Sequence, residues 1–382
     1  MRQRSLSGLT FSLALLLSLA LPSAGWAHKA SDSFIYLDQT QSQVRIDLAL
    51  RDLALLLPLD GNGDGQLNGA EVRSARADIT RLVEQGLTLS NSAGRCQLVG
   101  QQWGLSRHSD GPYAAGRYQV ACPDNLPPAT LEYSLLFDRD PLHRSLVSIT
   151  DSQDERLGVL GPDDRTLALE NSGSVAGNVL QLFVTFLYEG VIHLLIGLDH
   201  ILFLLVLMLP ATLPLNRRQS AGGMVEKRGL KARLLELVGI VTAFTVAHSI
   251  TLALAALNIV TLPIAWVETV IALSIAIAAL NVVWPILGRK TWKLAFGFGL
   301  IHGFGFASVL GDLTSGVSQL AVALAGFNLG VELGQLGLLL VLFPALYLFS
   351  RFRLYERAAV PAILLAVGGL SLYWVAERAA SI

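Results

Sequence analysis

The sequence predicts two kinds of structure in one chain. A β-sandwich-like domain with an EF-hand-type loop comes first, and an all-α polytopic membrane bundle of about six transmembrane helices follows. The first observation behind this is compositional: at 52% hydrophobic and 15% charged residues over 382 positions, the chain is too apolar for an ordinary soluble protein of its size. The second is that charge concentrates before about position 170 and long apolar runs after it. The third is that basic residues in the second half gather in short clusters between those runs, the arrangement of membrane topology. A net charge of −1 supplies no global basic field for nucleic acid.

Residues 1–27 read as a signal peptide. Arg2 and Arg4 form the positive start, 9–21 the apolar core, and Gly25-Trp26-Ala27 a small-residue cleavage site. The apolar core is short for a membrane span and polar sequence follows it, which favours cleavage over a retained anchor. The mature chain then begins at His28. Its α-amine and imidazole would form a bidentate metal chelator, although an ordinary non-binding N-terminus is the simpler reading.

Residues 28–172 are expected to form the exported β-rich domain. Runs at 33–37, 44–50, 116–121, 130–137 and 145–150 alternate or are β-rich. Turn residues such as Ser109-Asp110-Gly111-Pro112 and Pro127-Pro128 separate them, which points to a small antiparallel sandwich. A helical insert over 69–85 carries Val72, Ile79, Leu82 and Val83 on one face. The two cysteines, Cys96 and Cys122, both lie here, and in an oxidising compartment they are expected to pair.

The run Asp60-Gly61-Asn62-Gly63-Asp64-Gly65-Gln66-Leu67-Asn68-Gly69-Ala70-Glu71 matches a twelve-residue calcium loop. Asp60, Asn62 and Asp64 offer side-chain oxygens at the first, third and fifth positions. Gly65 makes the turn, Gln66 offers its carbonyl, Asn68 fills the ninth position and Glu71 closes the site. The alternative is a Gly/Asp/Asn-rich turn. Calcium is abundant outside the cytosol, so a single loop there is expected to brace its domain.

The membrane domain is expected over 175–382. Apolar stretches at 177–210, 234–258, 262–287, 293–312, 318–349 and 359–377 are each long enough to cross about 30 Å of hydrocarbon. Arg217, Arg218, Lys227, Arg228, Lys231 and Arg233 lie in one connection, Arg289, Lys290 and Lys293 in another, and Arg351, Arg353 and Arg357 in a third. The connections near 258–262 and 311–318 carry no basic residue, so the three basic loops are placed in the cytoplasm. Parity then makes 177–210 a single crossing preceded by an interfacial or re-entrant helix, broken near Gly197. By the same rule 318–349 crosses once, with a break at Asn328-Leu329-Gly330. Six crossings result, with both termini outside.

Four of the seven histidines, His193, His200, His248 and His302, fall in these stretches, together with Glu189, Asp199, Glu268 and Glu332. Ionisable side chains in hydrocarbon face a protein interior or a polar cavity. Four histidines with four carboxylates point to a metal site more than to a hydrogen-bonded packing network. Imidazole with carboxylate suits Ni²⁺, Co²⁺, Zn²⁺ or Cu²⁺ better than Mg²⁺ or Ca²⁺. The glycines of Gly297-Phe298-Gly299-Leu300-Ile301-His302-Gly303-Phe304-Gly305 would let a neighbouring helix approach beside His302.

The run His193-Leu194-Leu195-Ile196-Gly197-Leu198-Asp199-His200 resembles the HupE/UreJ family of hydrogenase and urease accessory membrane proteins. It is also similar to the His-x4-Asp-His signature of nickel/cobalt permeases, although five residues intervene here. Ala27-His28-Lys29 with Ser31-Asp32-Ser33, Ala247-His248-Ser249, Val267-Glu268 and His302-Gly303-Phe304-Gly305-Phe306 resemble the branch with a large exported N-terminal domain. The resemblance implies a nickel or cobalt transporter serving metalloenzyme maturation, in a bacterial inner membrane with its N-terminal domain in the periplasm. It makes His193, Asp199, His200, His248 and His302 the ligand candidates, with Glu268 and Glu332 as supporting acids. The expected partners are the metal ion, the lipid bilayer and metalloenzyme-maturation proteins.

A non-enzymatic permease is therefore the leading expectation. An intramembrane metal-dependent hydrolase, assisted by Ser249 or Ser308, is the alternative, and a calcium-binding membrane sensor or scaffold is a third. The chain has no Gly-x4-Gly-Lys-Ser/Thr loop and no Gly-x-Ser-x-Gly.

Overall fold

A computed structural model of the chain describes residues 32–64, 67–108, 111–151, 155–169, 175–213, 229–285, 291–311 and 317–380. The signal peptide, His28, Gly65, Gln66 and most of the first basic cluster lie outside the described residues.

Among the described residues the N-terminal part is built from ten strands in two sheets. Strands β1 (Asp32–Asp38), β2 (Gln43–Ala49), β5 (Gln97–His108), β6 (Gly111–Ala121), β8 (Arg144–Thr150) and β9 (Glu155–Leu160) form one sheet, in the order β5-β6-β2-β1-β8-β9. Strands β3 (Leu87–Asn91), β4 (Gly94–Arg95), β7 (Thr130–Tyr133) and β10 (Thr166–Ala168) form the other, in the order β10-β7-β3-β4. Alternating residues of both sheets meet in one core: Ile35, Val44, Ile46, Leu48 and Val147 from the first, Leu87, Leu89, Leu131 and Tyr133 from the second. The expected sandwich is thus present, with one correction to its pairing. β1 runs parallel to β8, from Asp32 opposite Arg144 to Asp38 opposite Thr150. The long excursion between these two strands allows a parallel crossover that a hairpin cannot make.

Helix α1 (Leu50–Leu53) continues directly from β2 and buries Leu50 and Leu53. The expected insert is two helices, α2 (Gly69–Ser74) and α3 (Arg76–Gly86), with Ala75 between them. Val72, Ile79 and Val83 are buried and Leu82 packs beside them, so the predicted apolar face is the one in the core. The disulfide Cys96–Cys122 forms, and it joins the ends of β5 and β6 where Gln97 opposes Ala121.

Of two buried polar clusters, the first lies in the larger sheet and the second joins the two sheets. Asp47 accepts from His108 Nε2 at 2.7 Å and from Arg45 Nε at 2.7 Å, while Arg45 Nη2 also reaches Ser106 Oγ at 2.9 Å. Burial pushes the Asp47 carboxyl up, but the hydrogen bonds from His108 and Arg45 outweigh it and hold it below the usual carboxylate range. His108 also stacks on Phe34, with ring centroids 4.4 Å apart. In the second cluster His143 Nε2 lies 2.8 Å from Tyr133 Oη and 3.2 Å from Ser33 Oγ.

Among the described residues seven helices follow: α4 (Val175–Ile196), α5 (Leu198–Thr212), α6 (Leu230–Ala256), α7 (Ile264–Val283), α8 (Thr291–Gly311), α9 (Val317–Phe349) and α10 (Val360–Ala379), the last entered through a π turn at Tyr355–Ala359. Among the described residues five helices are long and apolar enough to cross a membrane: 179–196, 230–256, 264–283, 319–349 and 355–379. Helix α5 has 15 residues, about 22 Å, and is too short to cross alone. It lies among α6, α7, α9 and α10 and buries Phe203, Leu204, Val206, Leu207, Met208 and Leu209. Arg233 of α6 donates to the Ala211 carbonyl at 2.9 Å and so satisfies one C-terminal acceptor of α5.

The break expected near Gly197 is present between α4 and α5. The break expected at Asn328-Leu329-Gly330 is absent, because α9 runs unbroken through it. Asn328 turns its amide back to the Leu324 carbonyl at 2.9 Å, inside the helix. Gly330 serves packing instead: a Cβ there would overlap the Leu187 carbonyl of α4. Gly326, Gly330 and Gly334 repeat every fourth residue and face Phe183, Leu187 and Leu194 in turn, so α4 and α9 run side by side in the same direction.

Candidate metal centre

The break at Gly197 builds the site. Its backbone turns to extended values (φ −66°, ψ 93°) and restarts the helix with Asp199 in the first turn of α5. A Cβ at Gly197 would sit 2.7 Å from His200 Nδ1 and 3.0 Å from Asp199 Oδ1, so only glycine leaves room for that pair. Asp199 Oδ1 accepts from the His200 backbone N–H at 2.9 Å and stands 3.0 Å from His200 Nδ1. The helix N-terminus favours the carboxylate there.

Three helices bring the other imidazoles to this point. The His200 ring lies 5.1 Å from that of His193, at the end of α4, and 5.3 Å from that of His302, on α8. His248, on α6, follows beyond Phe244, whose ring is 6.0 Å from it and 5.3 Å from His302. Phe203 packs 5.4 Å from His302 and 5.5 Å from Phe298, which walls the cluster with aromatic rings. The α6–α8 approach depends on two of the glycines singled out in the sequence. A Cβ at Gly299 would overlap the Phe244 carbonyl, and one at Gly303 would overlap Thr251 and the His248 carbonyl; Gly297 has open space.

Hydrogen bonds assign the tautomers. The Asn328 amide is spent on Leu324, so its Oδ1 faces His248 Nδ1 at 3.1 Å and accepts from it. The Ser274 hydroxyl donates to the Ile271 carbonyl at 2.7 Å, so at 3.2 Å it accepts from His302 Nε2. Asp199 accepts from His200 Nδ1. In its neutral form each ring therefore donates through one nitrogen and leaves the other as a bare lone pair. Those remaining atoms, His200 Nε2, His248 Nε2 and His302 Nδ1, are buried without a hydrogen-bond partner. His200, His248 and His302 are closed from the surface, whereas His193 and Asp199 are half-buried.

The carboxylates divide differently from the sequence expectation. Glu189 does not join the histidines: both of its oxygens lie 3.1 Å from Arg144 Nε of β8, which ties α4 to the sheet domain. A second tie runs from the Leu157 backbone N–H to Gln319 Oε1 of α9 at 3.1 Å. Glu332 accepts from Thr242 at 2.8 Å, next to a Thr245–Gln335 bond of 3.1 Å, in a polar seam between α6 and α9. At Glu268 the backbone carbonyl accepts from Arg378 Nη1 at 3.0 Å. Among the described residues no group of three His, Cys, Asp or Glu side chains is arranged to hold a metal ion as it stands.

A family model, HupE/UreJ protein, matches residues 170–378, more than half of the chain. The chain belongs to the HupE/UreJ family. Membership makes it a multi-pass membrane protein and carries a membrane role in metal transport or accessory work. No curated protein matches the chain. The matched span in this HupE/UreJ chain contains every residue of the histidine cluster and leaves the sheet domain outside.

Two residues that orient the cluster are not assigned to it in the sequence reading: Ser274 is one hydroxyl in an apolar helix, and Asn328, read there as a helix break, is near His248 only through the fold. The four-residue repeat of Gly326, Gly330 and Gly334 is legible in the sequence and marks the α4–α9 contact.

In the calcium-type loop, Glu71 Oε1 accepts from Gly61 N–H at 3.1 Å and Oε2 from Asn68 N–H at 3.0 Å, which draws the last ligand position beside the first. Asp60 Oδ1 accepts from Gly63 N–H at 2.7 Å and Asn62 Oδ1 from Asp64 N–H at 2.9 Å. The Asn68 side chain caps α2, accepting from Ala70 and Glu71 N–H. A direct contribution from Asn68 would give up that cap.

Proposed function

We propose that this HupE/UreJ chain is a membrane permease for a divalent transition-metal ion, nickel or cobalt, with His193, Asp199, His200, His248 and His302 as its ligands. The observation that carries the reading is the set of three buried imidazoles, each oriented by Asp199, Asn328 or Ser274 and each left with an unpaired nitrogen. A histidine held through one nitrogen by a carboxylate, amide or hydroxyl presents the other to a metal. An ion in transit would be held as the helices close and released as they part. Imidazole titrates near neutrality, so protonation supplies a means of release.

The half-buried His193 and Asp199 form the outward approach, and Glu332 with Gln335 and Thr245 continues polar contacts along α6 and α9. The basic clusters favour an odd number of crossings before the first basic loop with the sheet domain exported, α4 and the short α5 together making the first crossing. In this reading residues 60–71 bind calcium through Asp60, Asn62, Asp64, the Gln66 carbonyl and Glu71, with Asn68 acting through water, and brace the exported domain.

The hydrolase alternative needs a free hydroxyl or an activated water. Ser249 gives its proton to the Thr245 carbonyl at 2.7 Å, which counts against it as a nucleophile, and the side chain of Ser308 lies outside the described residues.

The test is uptake of labelled nickel, cobalt, zinc and copper into proteoliposomes by wild type, His200→Ala and His302→Ala. The expected outcome is loss of nickel or cobalt uptake to background in both variants. Equal uptake in all three proteins would overturn the permease reading. Bound metal without uptake, lost in the same variants, would favour the hydrolase.

A further inference from the structure

Three contacts seat the sheet domain on α4 and α9. Arg144, at the start of β8, donates through Nε to both Glu189 oxygens of α4 at 3.1 Å each. Its Nη1 also donates to the carbonyls of Pro141 at 3.3 Å and His143 at 3.0 Å, so its own domain fixes the guanidinium where it meets α4. Only 15% of the Arg144 side chain and 19% of the Glu189 side chain are exposed, which shields the pair from salt. The second contact is at β9, the edge strand of the larger sheet, where a strand leaves backbone groups unpaired. Its Leu157 N–H donates to Gln319 Oε1, in the first turn of α9, at 3.1 Å. The third is apolar: Leu157 and Val159 pack both against the sheet cluster around Phe34 and Leu146 and against the helical cluster around Phe186 and Leu320.

These contacts lead to the histidine cluster. Glu189 lies one helical turn before His193, on the same face of α4. A Cβ at Gly190, in that turn, would overlap the Phe327 carbonyl of α9, and the Phe327 ring lies 5.3 Å from that of His193. The next residue of α9, Asn328, orients His248. The break at Gly197 interrupts the helix between His193 and His200, so α4 needs an anchor of its own to fix the distance between those two rings. We propose that the sheet domain is a positioning element of the metal site, and that Arg144, acting through Glu189, sets where His193 stands against His200. The proposal rests on the metal-permease reading and adds a residue of the sheet domain that sets affinity without touching the ion.

The experiment is calorimetric titration of Ni²⁺ into the full-length chain in detergent micelles, for wild type, Arg144→Gln, His193→Ala and the double variant. Arg144→Gln should bind Ni²⁺ about tenfold more weakly than wild type, the size of effect expected of a group that orients a ligand from behind. His193→Ala should also bind more weakly, and adding Arg144→Gln to it should cost less than about twofold more, because the ligand it places is gone. Equal affinity in wild type and Arg144→Gln would overturn the proposal and leave the metal reading standing. A second tenfold loss on the His193→Ala background would overturn it too, since Arg144 would then act on the fold as a whole. If Arg144→Gln does not fold, Glu189→Gln decides by the same two comparisons. Absence of Ni²⁺ binding in wild type would overturn the metal reading itself.

Discussion

The sheet domain and the helical domain both bury histidines, and they treat them in opposite ways. In the sheet domain His108 is held by Asp47 and stacked on Phe34, and His143 is held by Tyr133 and Ser33; neither leaves a buried ring nitrogen unpaired. In the helical domain His200, His248 and His302 are held just as firmly through one nitrogen, yet each leaves the other unpaired. A buried polar atom without a partner costs about 1–3 kcal/mol. Three such atoms on neighbouring helices are a standing cost that packing alone does not explain. Under the proposed function, the contrast separates histidines that hold a fold from histidines kept ready for a ligand.

The contrast breaks most readily at Asp47. Asp47→Asn leaves Arg45 and His108 without their carboxylate and should cost the sheet domain about 3 kcal/mol of stability, read from denaturant melts of the full chain. The pH dependence has the same origin. Because the folded-state Asp47 carboxyl is held below its unfolded value, its contribution is fully present above about pH 4 and is lost as pH falls through the lower folded value. The sheet domain should therefore lose stability in acid, and Asp47→Asn should flatten that loss; an unchanged acid profile would remove Asp47 from the account.

A smaller effect concerns the loop at 60–71. Calcium at tenfold excess over its dissociation constant should stabilise the sheet domain by about 1.4 kcal/mol and leave the helices untouched. Glu71→Gln should abolish the shift, and a shift that survives this change would place the ion elsewhere. Smallest of all, His302→Gln gives up one hydrogen bond, to Ser274, and should cost about 1 kcal/mol or less. A loss as large as that of Asp47→Asn would mean that His302 belongs with the structural histidines.

Much of this arrangement is legible before any coordinates. The apolar periodicity of 69–85, the break at Gly197 and the glycines beside His302 each follow from local rules, and the structure carries all three. The depth and number of the histidines mark the cluster because hydrocarbon penalises every ionisable group it contains. What escapes is whatever depends on two distant segments meeting. The parallel pairing of β1 with β8 has no local signature, and neither does Arg144 reaching across to Glu189, which removes that carboxylate from the site. Asn328, read as a helix break, proves to orient His248 from within an intact helix, a role set by the α6–α9 contact alone.

The central claim is that the unpaired imidazole nitrogens are metal ligands. X-ray absorption at the nickel edge of the Ni²⁺-loaded, detergent-solubilised chain tests it most directly. The account predicts scattering from at least two imidazole rings, reduced by one in His302→Gln and in His200→Gln. A spectrum of oxygen ligands alone, identical in wild type and both variants, would contradict it.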